Sequence, residues 1–327
     1  MLPGRILCIR TDRLGETILT LPVVTALRAA YPKAEITLLL HPDMAALLDG
    51  MPDVTDIWAD DSGSTGGWWT RVLRLSGRLR AGRFDTVLVC NAKKELHAAV
   101  RLAGIPQRAG YARKWGWCLT HRVPDRKYLG RRHEVDCNLD LVRALGQPVF
   151  APAWRMPKYL REQDQIRQKL QGPGLKPAGP VVAVHPWTSN PRKQWPAARY
   201  RELIERIGSS ASVVLIGGEE SLPHAPALVP DGAARITDLT GRTSLRELAA
   251  VLKDAVLLVS NDSGPVHLAA ALGTKTVVLF GGEDPATGPG RWGPWGTGHT
   301  VINRPTLEAI TVDEVMAAVQ RHLHVRS

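Results

Sequence analysis

The chain has 327 residues, 44% of them apolar, enough to bury two cores of ordinary domain size, and it holds no long polar tract of the kind that stays disordered. With 42 Lys and Arg against 31 Asp and Glu its formal charge is +11, so the expected partners are polyanions: nucleic acid, anionic lipid or phosphorylated glycan. No run reaches the roughly 18 apolar residues that cross a bilayer, no signal peptide opens the chain, and Cys8, Cys90, Cys118 and Cys137 form neither a C-x-x-C nor a zinc spacing, so the expectation is a cytoplasmic chain with reduced thiols.

Short apolar runs alternate with helix-period segments from the start, which implies parallel sheets covered on both faces. The first strand, residues 5–9, enters Arg10-Thr11-Asp12-Arg13-Leu14-Gly15-Glu16-Thr17 and then a helical stretch at 17–30. This turn lacks G-x-G-x-x-G, which removes support for a dinucleotide oxidoreductase, and presents instead two carboxylates, Asp12 and Glu16, at a strand end. Glu16 is either a general base for an attacking hydroxyl or a helix N-terminal charge that merely complements the macrodipole. After a second strand (35–40) come a glycine-rich run (62–67) and the segment 68–80, where Arg71, Arg74 and Arg78 share one helical face and Val72, Leu75 and Leu79 another. That pattern, led by Trp68 and Trp69, suits either a helix lying on anionic lipid or a surface helix with its apolar side in the core. A third strand (86–90) is followed by Lys93, Lys94, Arg113, Lys114, Arg131 and Arg132, and by a helix at 134–145.

Residues 150–180 are proline-rich, contain an Arg/Gln-rich helical segment (159–170) and the turn Gln171-Gly172-Pro173-Gly174, and read as a linker between two halves. The strand at 181–185 then opens onto Thr188, Ser189, Arg192 and Lys193, either a phosphate loop with Lys193 as the point charge for a leaving diphosphate or an ordinary basic loop. The strand behind it and the helix starting near Pro196 favour the first. A strand at 212–216 ends in Gly217-Gly218-Glu219-Glu220, whose carboxylates either bond ribose hydroxyls or form a solvated turn. A helical segment (244–252) leads to the strand at 256–260, which stops at Asn261-Asp262-Ser263-Gly264-Pro265. There a helix begins with proline in its first turn and small residues ahead of it, leaving its amides open to a diphosphate. Asp262 is a helix N-cap, a ligand contact or both, and His267 a ligand contact or a satisfied half-buried imidazole. After a strand at 276–280, the amphipathic helix at 312–322 is free to pack back across the junction.

Three stretches, R-T-D-R-L-G-E-T-I-L-T-L-P at 10–22, H-P-W-T-S-N-P-R-K-Q-W-P at 185–196 and N-D-S-G-P-V-H-L-A-A-A-L-G at 261–273, together resemble glycosyltransferase family 9. Its best-known members add heptose from ADP-heptose to the lipopolysaccharide inner core. The resemblance spans nearly the whole chain and implies an α/β fold of GT-B type: two facing Rossmann-like, doubly wound parallel-sheet domains with a cleft between them. Residues 1–155 would bind the acceptor and 156–327 the nucleotide sugar. It further implies an inverting single displacement with no metal and no cofactor beyond the ADP-sugar co-substrate. The partners it implies are an anionic glycolipid and the inner-leaflet membrane surface of a Gram-negative bacterium, not nucleic acid.

On the family pattern Thr188, Ser189 and Lys193 contact donor phosphates, Glu219 or Glu220 the ribose, and Asp262, Ser263, Gly264 and His267 the diphosphate and sugar. Arg71, Arg74, Lys93, Lys94, Arg113 and His133 would face the acidic acceptor. The family's catalytic aspartate, directly after the glycine of the first motif, is matched here by Glu16. The extra methylene moves the carboxylate by more than about 1 Å, which opens the way to a changed acceptor or weakened catalysis and makes Asp12 the alternative base. Two other readings compete: a family member with another donor sugar or acceptor (O-antigen, capsule or protein hydroxyl), and a non-catalytic protein that binds nucleotide sugar or anionic glycan.

Overall fold

The computed structural model describes residues 3–60, 66–150, 152–170, 179–229 and 235–324, so most of the glycine-rich run at 62–67 and the turn at 171–174 lie outside the described residues. The chain divides into two compact units, Met1–Pro157 and Lys158–Ser327.

The first unit runs β1 (Arg5–Arg10), α1 (Leu14–Ile18), α2 (Leu21–Ala30), β2 (Glu35–Leu40), α3 (Pro42–Leu48), β3 (Asp56–Ala59), α4 (Trp68–Ala81), β4 (Thr86–Val89), α5 (Lys94–Leu102), β5 (Gln107–Tyr111), β6 (His121–Val123) and α6 (Glu134–Ala144). Its strands are all parallel, in the order β3-β2-β1-β4-β5-β6. Central strands such as β1 and β4 are near-continuous apolar runs because helices cover both faces. The helical stretch expected at 17–30 is broken in two. Pro22 has no N–H to offer the Ile18 carbonyl, and the Trp154 indole donates to that oxygen instead, at 3.0 Å. The Asn138 amide serves the Leu19 carbonyl in the same way at 3.2 Å. Val72, Leu75 and Leu79 of α4 enter the core with Val87, Val89 and Leu96, so that face of the helix is an ordinary buried one.

The second unit runs α7 (Leu160–Leu170), β7 (Val181–His185), α8 (Ala197–Gly208), β8 (Ser212–Leu215), β9 (Ile236–Asp238), α9 (Leu245–Asp254), β10 (Leu257–Asn261), α10 (Gly264–Ala271), β11 (Lys275–Gly281), α11 (Pro289–Trp292), β12 (Thr300–Arg304) and α12 (Val312–His324). The sheet order, β12-β11-β10-β7-β8-β9, is the same permutation as in the first unit, third-second-first-fourth-fifth-sixth in chain order. Each unit is therefore Rossmann-like, with its switch point between its first and fourth strands.

Two segments whose packing the sequence left open find their place. The helical part of the supposed linker, α7, packs along α9, with Ile166 fully buried and Glu162–Arg246 and Lys169–Glu247 ion pairs at 2.6 and 2.5 Å, and so belongs to the second unit. The apolar stripe of α12, Val312, Val315, Met316 and Val319, joins the core built by Trp195, Tyr200 and Leu203, and is used within its own unit against α8, β10 and β11.

Candidate functional site

The singled-out motifs leave the strands that flank each switch point, where sheets of this topology receive ligands. In the first unit β1 ends in Arg10, which is buried, ion-paired with the Asp12 carboxylate at 2.7 Å, and donates to the Cys90 carbonyl at 2.9 Å. Burial works to lower the Arg10 pKa, but the neighbouring Asp12, with Cys90, Glu134 and Glu16, outweighs it and the value is raised. Beyond β4 the Lys93 ammonium donates to the Thr11 carbonyl at 3.1 Å and to its hydroxyl at 3.0 Å, while the Asn91 amide reaches that hydroxyl at 3.2 Å. These contacts hold the loop after β1 in place.

Asp12 is thus committed to a guanidinium. The half-buried Glu16, in the first turn of α1, has its backbone fixed by the Thr20 hydroxyl, which donates to its carbonyl at 2.8 Å. Its carboxylate enters no hydrogen bond or ion pair among the described residues and is the one available to a ligand.

In the second unit the Asn261 side chain clamps the two loops of the switch point together. Its amide donates to the Pro186 carbonyl at 2.7 Å and its oxygen accepts the Trp195 N–H at 3.0 Å. His185 Nδ1 lies 3.3 Å from Ser260 Oγ and 3.2 Å from Ser263 Oγ, and burial pulls its pKa down to about 4, so the imidazole is neutral at pH 7. Asp262 pairs with Lys193 at 2.5 Å. The N-cap position of α10 is Ser263, and no side chain caps the helix, which corrects the N-cap reading of Asp262. Burial raises the Asp262 pKa against the pull of Lys193.

The first amides of α10, preceded by no capping side chain, therefore open beside a partly buried ion pair, as an anion site requires. Lys193 itself is fixed from the loop: Asn190 caps the short turn Pro191–Lys193 by accepting the Arg192 N–H at 3.1 Å, and the half-buried Thr188 accepts the Asn190 N–H at 3.3 Å. Ser189 is exposed in the same loop. Gly217 at the end of β8 allows the loop tryptophan to pack, since a Cβ there would stand 2.4 Å from the Trp187 ring. Glu219 and Glu220 follow, exposed at the head of a 3-10 segment. His267 is buried in α10, deeper than the half-buried imidazole expected.

The expected acceptor cations are spread over the first unit. Arg71 on α4 bonds the Gly66 carbonyl at 3.3 Å and faces Glu95 at 3.8 Å; Arg74 and Lys94 are exposed; Arg113 pairs with Asp125 at 3.0 Å. His133 caps α6, its Nδ1 accepting the Val135 N–H at 3.2 Å. The sequence reading missed a cavity of 420 Å³ lined in part by Tyr111, Arg126, Lys127, Arg131 and Arg132. Lys127 pairs with buried Glu134, donates to Asn138 at 3.0 Å and sits 4.2 Å from the centre of the Tyr111 ring; burial lowers its pKa against the pull of Glu134. Arg132 grips Asp140 at 2.6 and 3.1 Å.

Arg126 and Arg131 enter no ion pair among the described residues, which leaves the cavity basic. Its wall connects to Glu16 through hydrogen bonds from Tyr111 to Asn138 (3.2 Å), Asn138 to Thr20 (3.3 Å) and Thr20 to the Glu16 carbonyl. Only Arg131 and Arg132 had left a trace in the sequence, as basic residues; Tyr111 and Lys127 meet the others through the pairing of β5 with β6. Among the described residues no three His, Cys, Asp or Glu side chains are grouped to hold a metal ion.

A sequence profile of glycosyltransferase family 9 (heptosyltransferase) matches residues 72–318. Lipopolysaccharide heptosyltransferase 3 of Escherichia coli strain K12 is 28% identical over 343 aligned positions, covering 94% of this chain and 95% of that protein. The crystal structure of a family 9 glycosyl transferase from Veillonella parvula matches with a TM-score of 0.88 at 21% identity, over 99% of this chain and 98% of that one. The ADP-heptose lipopolysaccharide heptosyltransferase II of E. coli matches with a TM-score of 0.83 at 23% identity, over 98% of this chain and 99% of that one. At such identities the structural likeness establishes the fold, α/β of GT-B type with two Rossmann-like units.

Proposed function

The chain belongs to glycosyltransferase family 9 and is a glycosyltransferase, and from that premise we propose that it moves a heptose from ADP-heptose to an acidic lipopolysaccharide inner-core acceptor. The observation that carries the reading is the pairing of functions at the two switch points: an available carboxylate, Glu16, at one, and the Lys193–Asp262 pair beside uncapped helix amides at the other.

In this reading Thr188, Ser189 and the amides of Ser263 and Gly264 bond the donor phosphates, Glu219 or Glu220 bonds the ribose, and Asp262 and His267 line the sugar side. Glu16 takes the proton of the acceptor hydroxyl as its oxygen attacks the anomeric carbon. The bond from that carbon to the diphosphate breaks on the opposite face, so configuration inverts and the electron pair leaves with ADP. Lys193 and the α10 amides neutralise the departing charge, the task a metal ion performs elsewhere, so no metal or further cofactor is needed. Arg71, Arg74, Lys93, Lys94, Arg113 and His133, joined by the basic cavity at Arg126 and Arg131, receive the anionic acceptor.

No described helix is long and apolar enough to cross a membrane. The proposed place of action is the cytoplasmic surface of a Gram-negative inner membrane, where a lipid-anchored acceptor would be met.

Incubation with ADP-heptose and a Kdo-bearing lipid acceptor is expected to release ADP and yield a product heavier by one heptose. Absence of both products with every core acceptor tried would defeat the heptose reading. The glutamate at position 16 favours one second reading, the same chemistry on a differently placed acceptor hydroxyl, and product linkage analysis distinguishes it.

A further inference from the structure

Helix α4 buries one apolar face and leaves a second apolar pair in solvent: Trp69 is 59% exposed and Leu73, one turn on, 61%. Trp69 packs edge-on to Trp68 with ring centres 4.4 Å apart, Trp68 to Trp115 at 5.3 Å, and Trp115 lies 5.9 Å from Trp117, which is 56% exposed. The Arg101 guanidinium stands over Trp117 at 5.3 Å. Beside it Leu102 is 42% exposed, and Arg80 donates to its carbonyl at 2.5 Å, tying the end of α4 to the end of α5. The result is a continuous run of four tryptophans with both ends in water and two exposed leucines beside it.

The charge around this run is predominantly positive. Residues 66–82, 94–102 and 112–117 carry eight Lys and Arg and a single carboxylate, Glu95, which faces Arg71 at 3.8 Å. Arg113 also has a partner, Asp125. Indole rings with an apolar body and a polar N–H, set among arginines with long apolar stems, match the headgroup level of an anionic bilayer. A second copy of this face would set like charge against like. The position suits the reaction too: β3, β4 and β5 are parallel to β1, so the segments leaving them towards α4, α5 and Trp115 start from the edge that bears Glu16.

We propose that the surface of Trp69, Leu73, Leu102 and Trp117, with Arg74 and Lys114, seats the first unit on an anionic bilayer leaflet. The inference rests on the reading of a membrane-anchored acceptor and gives it a surface. The test is flotation of the full chain with vesicles of phosphatidylethanolamine and phosphatidylglycerol, against vesicles of phosphatidylcholine alone. The native chain should float with the anionic vesicles, less so as salt rises, with a blue shift of tryptophan emission.

The triple variant Trp69→Ser, Leu73→Ser, Trp117→Ser should bind at least about tenfold more weakly, whereas Phe150→Ser, at a site 75% exposed on the same unit, should bind as the native chain does. Turnover of a water-soluble, deacylated acceptor should be equal in all three proteins, and turnover of vesicle-borne acceptor should fall in the triple variant alone. The proposal is overturned if the native chain ignores anionic vesicles or the triple variant binds them equally well. It is also overturned if the substitutions abolish self-association in sedimentation rather than lipid binding. A native chain that floats but turns over no acceptor would leave this surface standing and remove the heptosyl reading.

Discussion

Lys193 and Asp262 hold each other at 2.5 Å, and in the proposed donor site a diphosphate would compete for the ammonium. Asp262 is 11% exposed at its side chain and Lys193 33%, so the carboxylate is the more dependent partner. Burial raises the Asp262 pKa and Lys193 restrains it; without the lysine the ionised form loses its counter-charge. A carboxyl with a raised folded pKa destabilises the fold above that value and ceases to do so once protonated. Lys193→Met should therefore lose about 1–3 kcal/mol at pH 7 and weaken ADP binding, yet regain stability relative to the native chain as the pH is lowered and the carboxyl takes up its proton. Melting curves taken as the pH is lowered check it, and a variant whose deficit stays the same throughout would contradict it.

These residues were legible because each sits in a contiguous strand-loop-helix motif. The Arg10–Asp12 pair and the Lys127–Glu134–Tyr111 cluster were not, since the former needs a buried strand end and the latter a contact between β6, β5 and α6.

Gly217 shows how an element's end sets the shape of a neighbouring loop. The strand β8 stops where Trp187, from the loop after β7, lies flush against its backbone, and a methyl group at Gly217 would overlap the indole at 2.4 Å and press on Thr240 at 3.1 Å. Gly217→Ala should displace the ring and with it the loop that carries Thr188 and Lys193. The expected loss is about 1–3 kcal/mol in denaturant unfolding, with a rise in the donor KM and little change in the acceptor KM.

Elements with this kind of internal support were read from the sequence when they were central: β1, β2, β4, β7, β8, β10 and β11 are apolar runs of strand length. The strands outside them, β3, β5, β6, β9 and β12, are short or polar at their sheet margins, and β5 reads Gln-Arg-Ala-Gly-Tyr, so no periodicity marked them. The break at Pro22 was present in the sequence, but a proline in the first turn of α2 also fits an unbroken reading until the Trp154 bond to the Ile18 carbonyl is seen.

At the scale of the whole molecule one permutation of strands occurs twice, and the proposed function gives each copy a different half of the chemistry. Alternating strand and helix made this architecture readable in advance. The place of α7 was harder, because Ile166 is the one buried residue on a mostly polar helix and the segment therefore looked like solvent-exposed linker. Basic residues gather around α4, α5 and the basic cavity of the first unit, where the proposed anionic acceptor and bilayer would be met.

The central claim is that the first unit supplies the base and the second holds the donor, and substitution of Glu16 tests it most directly. Glu16→Gln preserves shape and removes only the proton acceptor, so turnover with ADP-heptose and acceptor should fall by about 100-fold or more while ADP-heptose still stabilises the protein against heat as in the native chain. Turnover that survives intact, or a donor shift that vanishes with the carboxylate, would contradict the account.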